Sequence, residues 1–294
     1  MLPEPEIALT LPHGLWDADG VCHRRVALRA LSGREELLLG GSGELDPDGA
    51  STLLAACMAR LGQYDRVDPA QAAALTRGDR HHLALHLRGQ FYGDRLALVA
   101  RCPNPVCEAL SDVDLRISEL APDGAGSEPP PEAREIDTPS GRALLREPTG
   151  EDDAAVHAAG GNPREKSALL WSRLVELDGQ PLTAAAWTAL PAATRHALAL
   201  ALADGGRAPE LAFVARCPTC KGWLELTLSP FALLARELAG RTDRLFAEVH
   251  ILAFHYHWSE EQTLSLPRPH RWRYLELLRR ELEGRSLLDG QERM

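Results

Sequence analysis

Hydrophobic positions recur in the same order in two halves of this 294-residue chain. The segment from Arg80 to Pro103 aligns without a gap to the segment from Arg195 to Pro218, and 13 of the 24 aligned positions are identical. Upstream, "RALSGREE" resembles "REPTGEDD", and "LLAACMARLG" resembles "LLWSRLVELD". Each half is therefore predicted to run as an extended segment, a Ser/Thr-Gly cap, helices, a strand, a cysteine turn and a second strand.

Local signals support that order of elements. Ser32 with Glu35, and Thr149 with Asp152, have the spacing of a helix N-cap followed by an acid in the first turn. The segment "REIDTPSGRALLREP" predicts a hairpin that turns at its Pro-Ser-Gly. After each cysteine pair, apolar and polar residues alternate with the period of two that is typical of a half-buried strand.

The halves are separated by "APDGAGSEPPPEAR", in which three consecutive prolines exclude a helix or a paired strand. We therefore predict a first α+β repeat over residues 1–120 that ends in a cysteine knuckle hairpin. A linker over 121–134, a second such repeat over 135–230 and a C-terminal helical region over 231–294 follow. The predicted fold class is α+β, with tandem duplicated units joined through a shared zinc-ribbon-like pair of β-hairpins.

The C-terminal region has helical periodicity. One helix is predicted from an apolar face formed by Leu245, Val249, Leu252 and Tyr256. Ser259 with Gln262 has the spacing of a capping box, and "HRWRYLELLRREL" predicts a last helix.

Composition excludes several functions. The net charge of −10 and the pI near 5.6 disfavour nucleic acid as a partner, because phosphate contacts need surplus Lys and Arg. The first residues carry no basic leader, and the chain has no apolar run long enough to span a bilayer, so we expect a soluble, cytoplasmic protein with no membrane partner. Phosphate-loop, nucleophile-elbow and His-Glu-x-x-His motifs are missing, which predicts neither an enzyme nor a small-molecule substrate.

Four of the six cysteines form two pairs at equivalent positions of the two halves. Cys102 and Cys107 make the first pair, and Cys217 and Cys220 make the second. A turn with two thiolates is the unit from which tetrahedral zinc ribbons are built, and two such turns supply four ligands. We predict one structural zinc shared by the four sulfurs, without a catalytic role because no coordination position stays open.

Two other interpretations of the pairs remain open: a disulfide within each pair, as in cytosolic redox motifs, and plain packing of reduced thiols. The isolated Cys22 and Cys57 are predicted to be apolar, buried residues.

The stretch "VHILAFHYHWSEEQTLSLPRPHRWRYLELL" resembles a segment of baseplate-associated proteins of contractile phage tails and related injection systems. Together with the cysteine knuckles and "DRHHLALHLRGQFYGDRLALVARCP", it is similar to the T4-type baseplate protein family, which includes baseplate hub assembly chaperones. This resemblance covers roughly residues 8–280. It implies a non-enzymatic baseplate component or assembly factor that binds other baseplate, hub or tail proteins, in the cytoplasm during assembly and also within the assembled particle.

Aromatic residues interleaved with arginines mark a candidate partner-binding surface in this stretch. Its members are Trp258, Trp272, Tyr274, Arg271 and Arg273. The alternative is that these rings only pack the last helices. We expect Trp258→Ala and Trp272→Ala to weaken partner capture more than they lower folding stability.

Two other functions stay open at this point. One is a zinc-ribbon regulator that binds nucleic acid through the Arg-rich tail from Arg268 to Arg285, which predicts salt-sensitive retention on heparin. The other is a thiol redox enzyme, which predicts fast alkylation of Cys217 at neutral pH.

Overall fold

A computed structural model of the chain describes residues 6–40, 45–121, 128, 130–204, 209 and 211–284. The first half contains β1 (Glu6–Trp16), β2 (Cys22–Arg29), α1 (Gly33–Gly40), α2 (Pro47–Cys57), β3 (Met58–Leu61), α3 (Pro69–Ala74), α4 (Arg77–Tyr92), β4 (Arg95–Arg101), β5 (Leu110–Arg116) and α5 (Ile117–Leu120).

The second half has nearly the same order of elements. It contains β6 (Ala133–Thr138), β7 (Gly141–Arg146), α6 (Gly150–Ala159), α7 (Pro163–Leu174), β8 (Val175–Leu177), β9 (Gln180–Pro181), α8 (Ala184–Ala189), α9 (Ala192–Asp204), β10 (Ala212–Arg216), β11 (Trp223–Thr227) and α10 (Pro230–Ala239). The described C-terminal residues add α11 (Thr242–Tyr256), α12 (Glu260–Leu264) and α13 (Arg268–Leu282). The prediction of an α+β protein is confirmed.

All sheets of the described residues are small and antiparallel. Strands β1, β2 and β3 form one sheet, strands β6 to β9 form a second, and β4–β5 and β10–β11 are separate hairpins. The predicted hairpin around Pro139 is present, since β6 and β7 pair on either side of Pro139 and Ser140.

Capping side chains set where several helices begin. Thr149 and Asp152 form the predicted capping box at α6, and Ser259 and Gln262 form the one at α12. At α1, the Glu35 carboxylate accepts hydrogen bonds of 2.7 Å from both the backbone N–H and the hydroxyl of Ser32. These bonds satisfy donors that the first helical turn leaves without a partner, so the short helices start at defined residues.

The chain divides into two compact units. Unit 1 comprises residues 1–29 and 46–231, and unit 2 comprises residues 30–45 and 232–294. Both predicted repeats thus lie in unit 1, except that the segment with α1 belongs to unit 2. Of the predicted linker over 121–134, residues 122–127 and 129 lie outside the described residues, and β6 already begins at Ala133.

Unit 1 has a core in each of its halves. In the first half, α4 packs on β1 and on α2, and the leucines on these helices are fully buried. In the second half, Leu145, Leu174 and Leu198 are buried together with Trp187, whose ring stacks on Trp171 with centroids 4.6 Å apart.

In unit 2, α1 packs on α11 and α12. Leu245, Val249 and Leu252 are buried along one face of α11, as the periodicity predicted. No helix among residues 6–40, 45–121, 130–204 and 211–284 has both the length and the hydropathy needed to cross a bilayer.

Candidate metal centre

Two hairpins of unit 1 carry the four paired cysteines at their turns. The strands β4 and β5 pair from Arg95↔Arg116 to Arg101↔Leu110, and the first cysteine turn follows directly. The strands β10 and β11 end in the same way at Arg216↔Trp223. Because each turn continues a regular ladder, both cysteines of a pair are held close to the hairpin end.

The two turns share their backbone geometry. The N–H of Cys102 donates to the carbonyl of Ala109 at 2.9 Å, and the N–H of Cys217 donates to the carbonyl of Gly222 at 2.8 Å. In each pair, the acceptor lies two residues beyond the second cysteine. The residue just after that cysteine is left-handed in both turns, with φ of 43° at Glu108 and 61° at Lys221. Two turns that differ in length therefore end alike.

The four sulfurs of Cys102, Cys107, Cys217 and Cys220 lie within 4.8 Å of one another. The sulfurs of Cys102 and Cys220 are 3.6 Å apart, and those of Cys107 and Cys217 are 3.8 Å apart. Ligands bound tetrahedrally to zinc at about 2.3 Å would lie roughly 3.8 Å apart. All four cysteines are free, and both distances are far longer than the ~2.05 Å of a disulfide.

The short sulfur contacts follow a two-fold pattern. In both of these contacts, the first cysteine of one turn meets the second cysteine of the other. An exchange of the two hairpins would convert one contact into the other. This is the relation expected when equivalent hairpins meet at an axis and share one ion.

The four thiols differ in how readily they lose a proton. Backbone N–H groups of Cys220 and Thr219 donate to the Cys217 sulfur and lower the pKa of Cys217 to about 6. A hydrogen bond from the backbone of Asn104 favours the Cys102 thiolate, but desolvation and the neighbouring sulfurs outweigh it and raise the pKa of Cys102 to about 12. Thiolates this close repel each other, so a bound cation is needed to hold all four deprotonated.

The site is closed on one side and reaches the surface on the other. Cys102 and Cys217 are buried against Leu224, whereas Cys107 is partly buried and Cys220 is exposed. Four cysteines complete a tetrahedral shell and leave no position for water or substrate. Within the described part of the chain, this is the group of at least three His, Cys, Asp or Glu side chains with the spacing of a metal site.

The other two cysteines are not part of this site. Cys57 is fully buried, as predicted. Cys22 is only partly buried, and its thiol donates to the carbonyl of His13 at 3.2 Å.

Unit 2 contains an apolar groove of about 900 Å³ between α11 and α13. Its lining includes the predicted partner-binding residues Trp272 and Arg273, with Ile251 and Leu282. Trp272 is 40% exposed, and its indole N–H donates to Glu248 at 2.8 Å, which fixes the ring at the groove wall. An exposed, oriented tryptophan is the kind of residue that anchors a protein interface.

Trp258 and Tyr274 lie in an aromatic cluster with Tyr256. Their ring centroids are 4.8 Å apart, and Trp258 also stacks on Tyr256 at 5.1 Å. This cluster holds the end of α11 against α13, so the two rings contribute packing within the unit, which was the alternative interpretation.

Arg271 does not lie on the surface with the other predicted partner-binding residues. It is fully buried, and its guanidinium donates to Glu36 at 2.5 Å and to Glu248 at 3.1 Å. Direct contact between Arg271 and a partner is therefore ruled out in this conformation. Neither glutamate was predicted from the sequence as a partner of Arg271, although Glu36 is the last residue of the "SGREE" segment.

Comparison with protein-family models, with curated proteins and with solved structures yields no match to this chain.

Proposed function

We propose that this protein is a non-enzymatic protein-binding component, stabilised by a structural zinc, that acts as a baseplate subunit or baseplate and hub assembly factor of a contractile phage tail or injection system. The observation that carries the non-enzymatic role is the closed set of four sulfurs at the tips of two hairpins. Such a centre cross-links the fold and offers no position for chemistry.

Zinc is the metal that fits this ligand set best. Four soft thiolates in tetrahedral separation are typical of structural zinc, and oxygen-preferring ions such as Mg²⁺ or Ca²⁺ are disfavoured. Metal analysis of protein purified without added zinc should find one zinc per chain. Cys217→Ser should lose it, while the matched variant Cys22→Ser should retain it. Equal zinc in both variants would contradict the assignment.

An internal duplication accounts for the fold around this centre. Both halves run in nearly the same order of elements, and the two cysteine turns share their backbone hydrogen bonds. The two-fold exchange of sulfur contacts fits equivalent hairpins that descend from one ancestral half. In this proposal, the ion joins the halves as a pair of zinc-ribbon-like hairpins.

The baseplate context is supported by the sequence resemblance, and the groove of unit 2 provides the binding surface. We propose that the groove takes an amphipathic helix of a hub or tail subunit, because its lining includes the apolar side chains of Ile251 and Leu282 together with the exposed Arg273. A helix with apolar residues on one face and acids beside them would satisfy both features.

Pull-down from cells that co-express neighbouring hub and tail subunits tests this role. Trp272→Ala should reduce capture at least tenfold while the unfolding temperature changes little. The matched control is Trp223→Ala, because Trp223 is 57% exposed, lies on β11 of unit 1 and does not line the groove. Undiminished capture by Trp272→Ala would refute the groove as the binding surface.

Heparin chromatography separates this role from that of a nucleic-acid-binding regulator. Asp112 and Asp114 lie on the cysteine hairpin, where Asp114 pairs with Arg95 at 3.0 Å, so the hairpin offers no basic stripe. We expect elution at low salt. Retention that falls steeply with salt concentration would favour the regulator.

A further inference from the structure

Three groups of helices among the described residues share one arrangement, which we call the three-helix module. Each module has a long helix, a short helix behind an N-cap, and a second long helix. The modules are α2–α3–α4, α7–α8–α9 and α11–α12–α13. The N-caps of the short helices are Asp68, Thr183 and Ser259.

Two positions recur at fixed distances from these caps. A leucine stands seven residues after each cap, at Leu75, Leu190 and Leu266. An arginine stands twelve residues after each cap, at Arg80, Arg195 and Arg271. In every module the leucine precedes the second long helix, and the arginine lies in its first turns.

In two modules the leucine carbonyl holds the start of another helix. The N–H of Gly33 in α1 donates to Leu266 at 3.4 Å, and the N–H of Gly150 in α6 donates to Leu75 at 3.3 Å. Each contact is accompanied by a β-bridge one residue away, Ser32↔Pro267 for α1 and Thr149↔Thr76 for α6. Helices α1 and α6 are therefore docked on their modules in the same way.

The docked helices share the sequence pattern Ser/Thr-Gly-x-acid-acid, which we call the docking motif. Its members are Ser32–Glu36 and Thr149–Asp153. The first acid caps its own helix, as shown above for Glu35 and Asp152. The glycine allows close approach, because a Cβ at Gly150 would overlap the guanidinium of Arg80, and one at Gly33 would lie 2.9 Å from Leu264 Cδ2.

The second acid of the motif meets an arginine of the module. In unit 2, Glu36 accepts a hydrogen bond of 2.5 Å from Arg271. In unit 1, Asp153 forms an ion pair with Arg77, three residues before Arg80. Both module arginines are almost fully buried, with exposures of 0% for Arg271 and 2% for Arg80.

The module α7–α9 has a leucine and an arginine at the same two positions, Leu190 and Arg195, but no helix of the described residues is docked on it. Leu190 is only partly buried and Pro191 is exposed, and no β-bridge forms there among the described residues. Arg195 is partly exposed, and its guanidinium has no hydrogen-bond or ion-pair partner within the part of the chain that the structure describes. An unpaired arginine at this position complements the second acid of a docking motif.

We infer that the module α7–α9 is a docking site for a helix of a partner protein that begins with Ser/Thr-Gly-x-acid-acid. The partner glycine lies at the Leu190 carbonyl, and its second acid pairs with Arg195. A partner is required because both docking motifs of the described chain are already seated. The inference goes beyond the proposed function, since it depends neither on the metal nor on the groove of unit 2.

A synthetic peptide of residues 146–160, which contains the Thr149–Asp153 motif, tests the inference with the full chain. Its own module stays occupied by the covalently attached α6, so the free module is the site open to the peptide. Backbone NMR of the ¹⁵N-labelled protein should show saturable shifts centred on Leu190 and Arg195. A peptide with both motif acids changed to amides should bind at least tenfold more weakly.

Arg195→Glu should abolish the shifts, because it places like charges together. Its matched control is Arg66→Glu, at an exposed loop position, which should bind the peptide as the unchanged protein does. Lack of shifts at millimolar peptide, or equal binding to Arg195→Glu, would overturn the inference. A concentration-dependent dimer that Arg195→Glu abolishes would also overturn it, in favour of a second copy as the occupant.

Discussion

Removing the metal should destabilise unit 1 by an amount that the chain connectivity determines. The sulfurs of Cys107 and Cys217 belong to residues 110 positions apart. A cross-link that closes a loop of this length removes conformational entropy from the unfolded chain worth about 4–5 kcal/mol. The free energy of unfolding should fall by about that much when the ion is removed.

The assay is thermal unfolding of the protein with and without a strong zinc chelator. For a protein of this size, a loss of 4–5 kcal/mol corresponds to a decrease of roughly 10 °C in the unfolding temperature of unit 1. Cys217→Ser should reproduce the decrease without chelator, and chelator should then have little further effect. Cys22→Ser serves as the control, because it removes a thiol outside the metal centre.

The size of the decrease in unfolding temperature distinguishes a cross-link between the two halves from a cross-link within one cysteine turn. If the ion stabilised only one turn, which closes a short loop, the loss would be only about 2 kcal/mol, roughly half of what the loop of 110 positions requires. An unfolding temperature unchanged by chelator, in protein shown to contain zinc beforehand, would refute the reasoning.

Three further variants test the packing around the proposed sites. Asp152→Asn should lower the free energy of unfolding by about 2 kcal/mol at pH 7, because two arginines and a backbone N–H overcome desolvation and lower the pKa of Asp152 to about 2. This stabilisation is present above pH ~4 and is lost as the pH falls towards 2. The free energies of unfolding of the two proteins, measured in urea, should therefore converge over that range. Arg271→Met should destabilise unit 2 by about 3–5 kcal/mol in denaturant unfolding, since it removes the guanidinium that pairs with the two buried carboxylates of Glu36 and Glu248. The exposed control Arg273→Met should change the free energy of unfolding by less than about 0.5 kcal/mol. Gly33→Ala should lower the stability of unit 2 by about 1–3 kcal/mol through overpacking. Gly240→Ala should not, because a Cβ at Gly240 has no heavy atom within 4 Å. Equal effects of the two variants would exclude the close approach of α1.

The cluster of four cysteines was predictable from sequence because each hairpin that carries a pair is formed by a local segment of the chain. Each cysteine pair follows an apolar strand and precedes an alternating one, so each hairpin could be identified separately. The prediction that the two pairs meet across 110 positions depended on the proposed duplication, in which the two turns are equivalent. The composition of either turn alone would have left a redox motif equally acceptable.

The burial of Arg271 could not be predicted from the local sequence. Arg271 and Arg273 were grouped as surface residues by composition, yet two positions along a helix differ by roughly 200° and so lie on opposite faces. Which face is buried depends on Glu36, 235 positions earlier in the chain. For the same reason, α1 was predicted as a helix, but its packing against α11 and α12 was not predicted.

The corresponding helices of the two halves differ in how many of their residues are buried, and this difference relates the proposed metal to the module α7–α9. Helix α4 buries nine of its residues, whereas its counterpart α9 buries only Thr194 and Leu198. A helix with so little buried surface gains little from packing and leaves its outer face available for another chain. The proposed ion would compensate by linking the second half to the first through the hairpin that follows α9. A half stabilised by a cross-link can keep a binding face open, which is the arrangement expected if its missing helix comes from a partner.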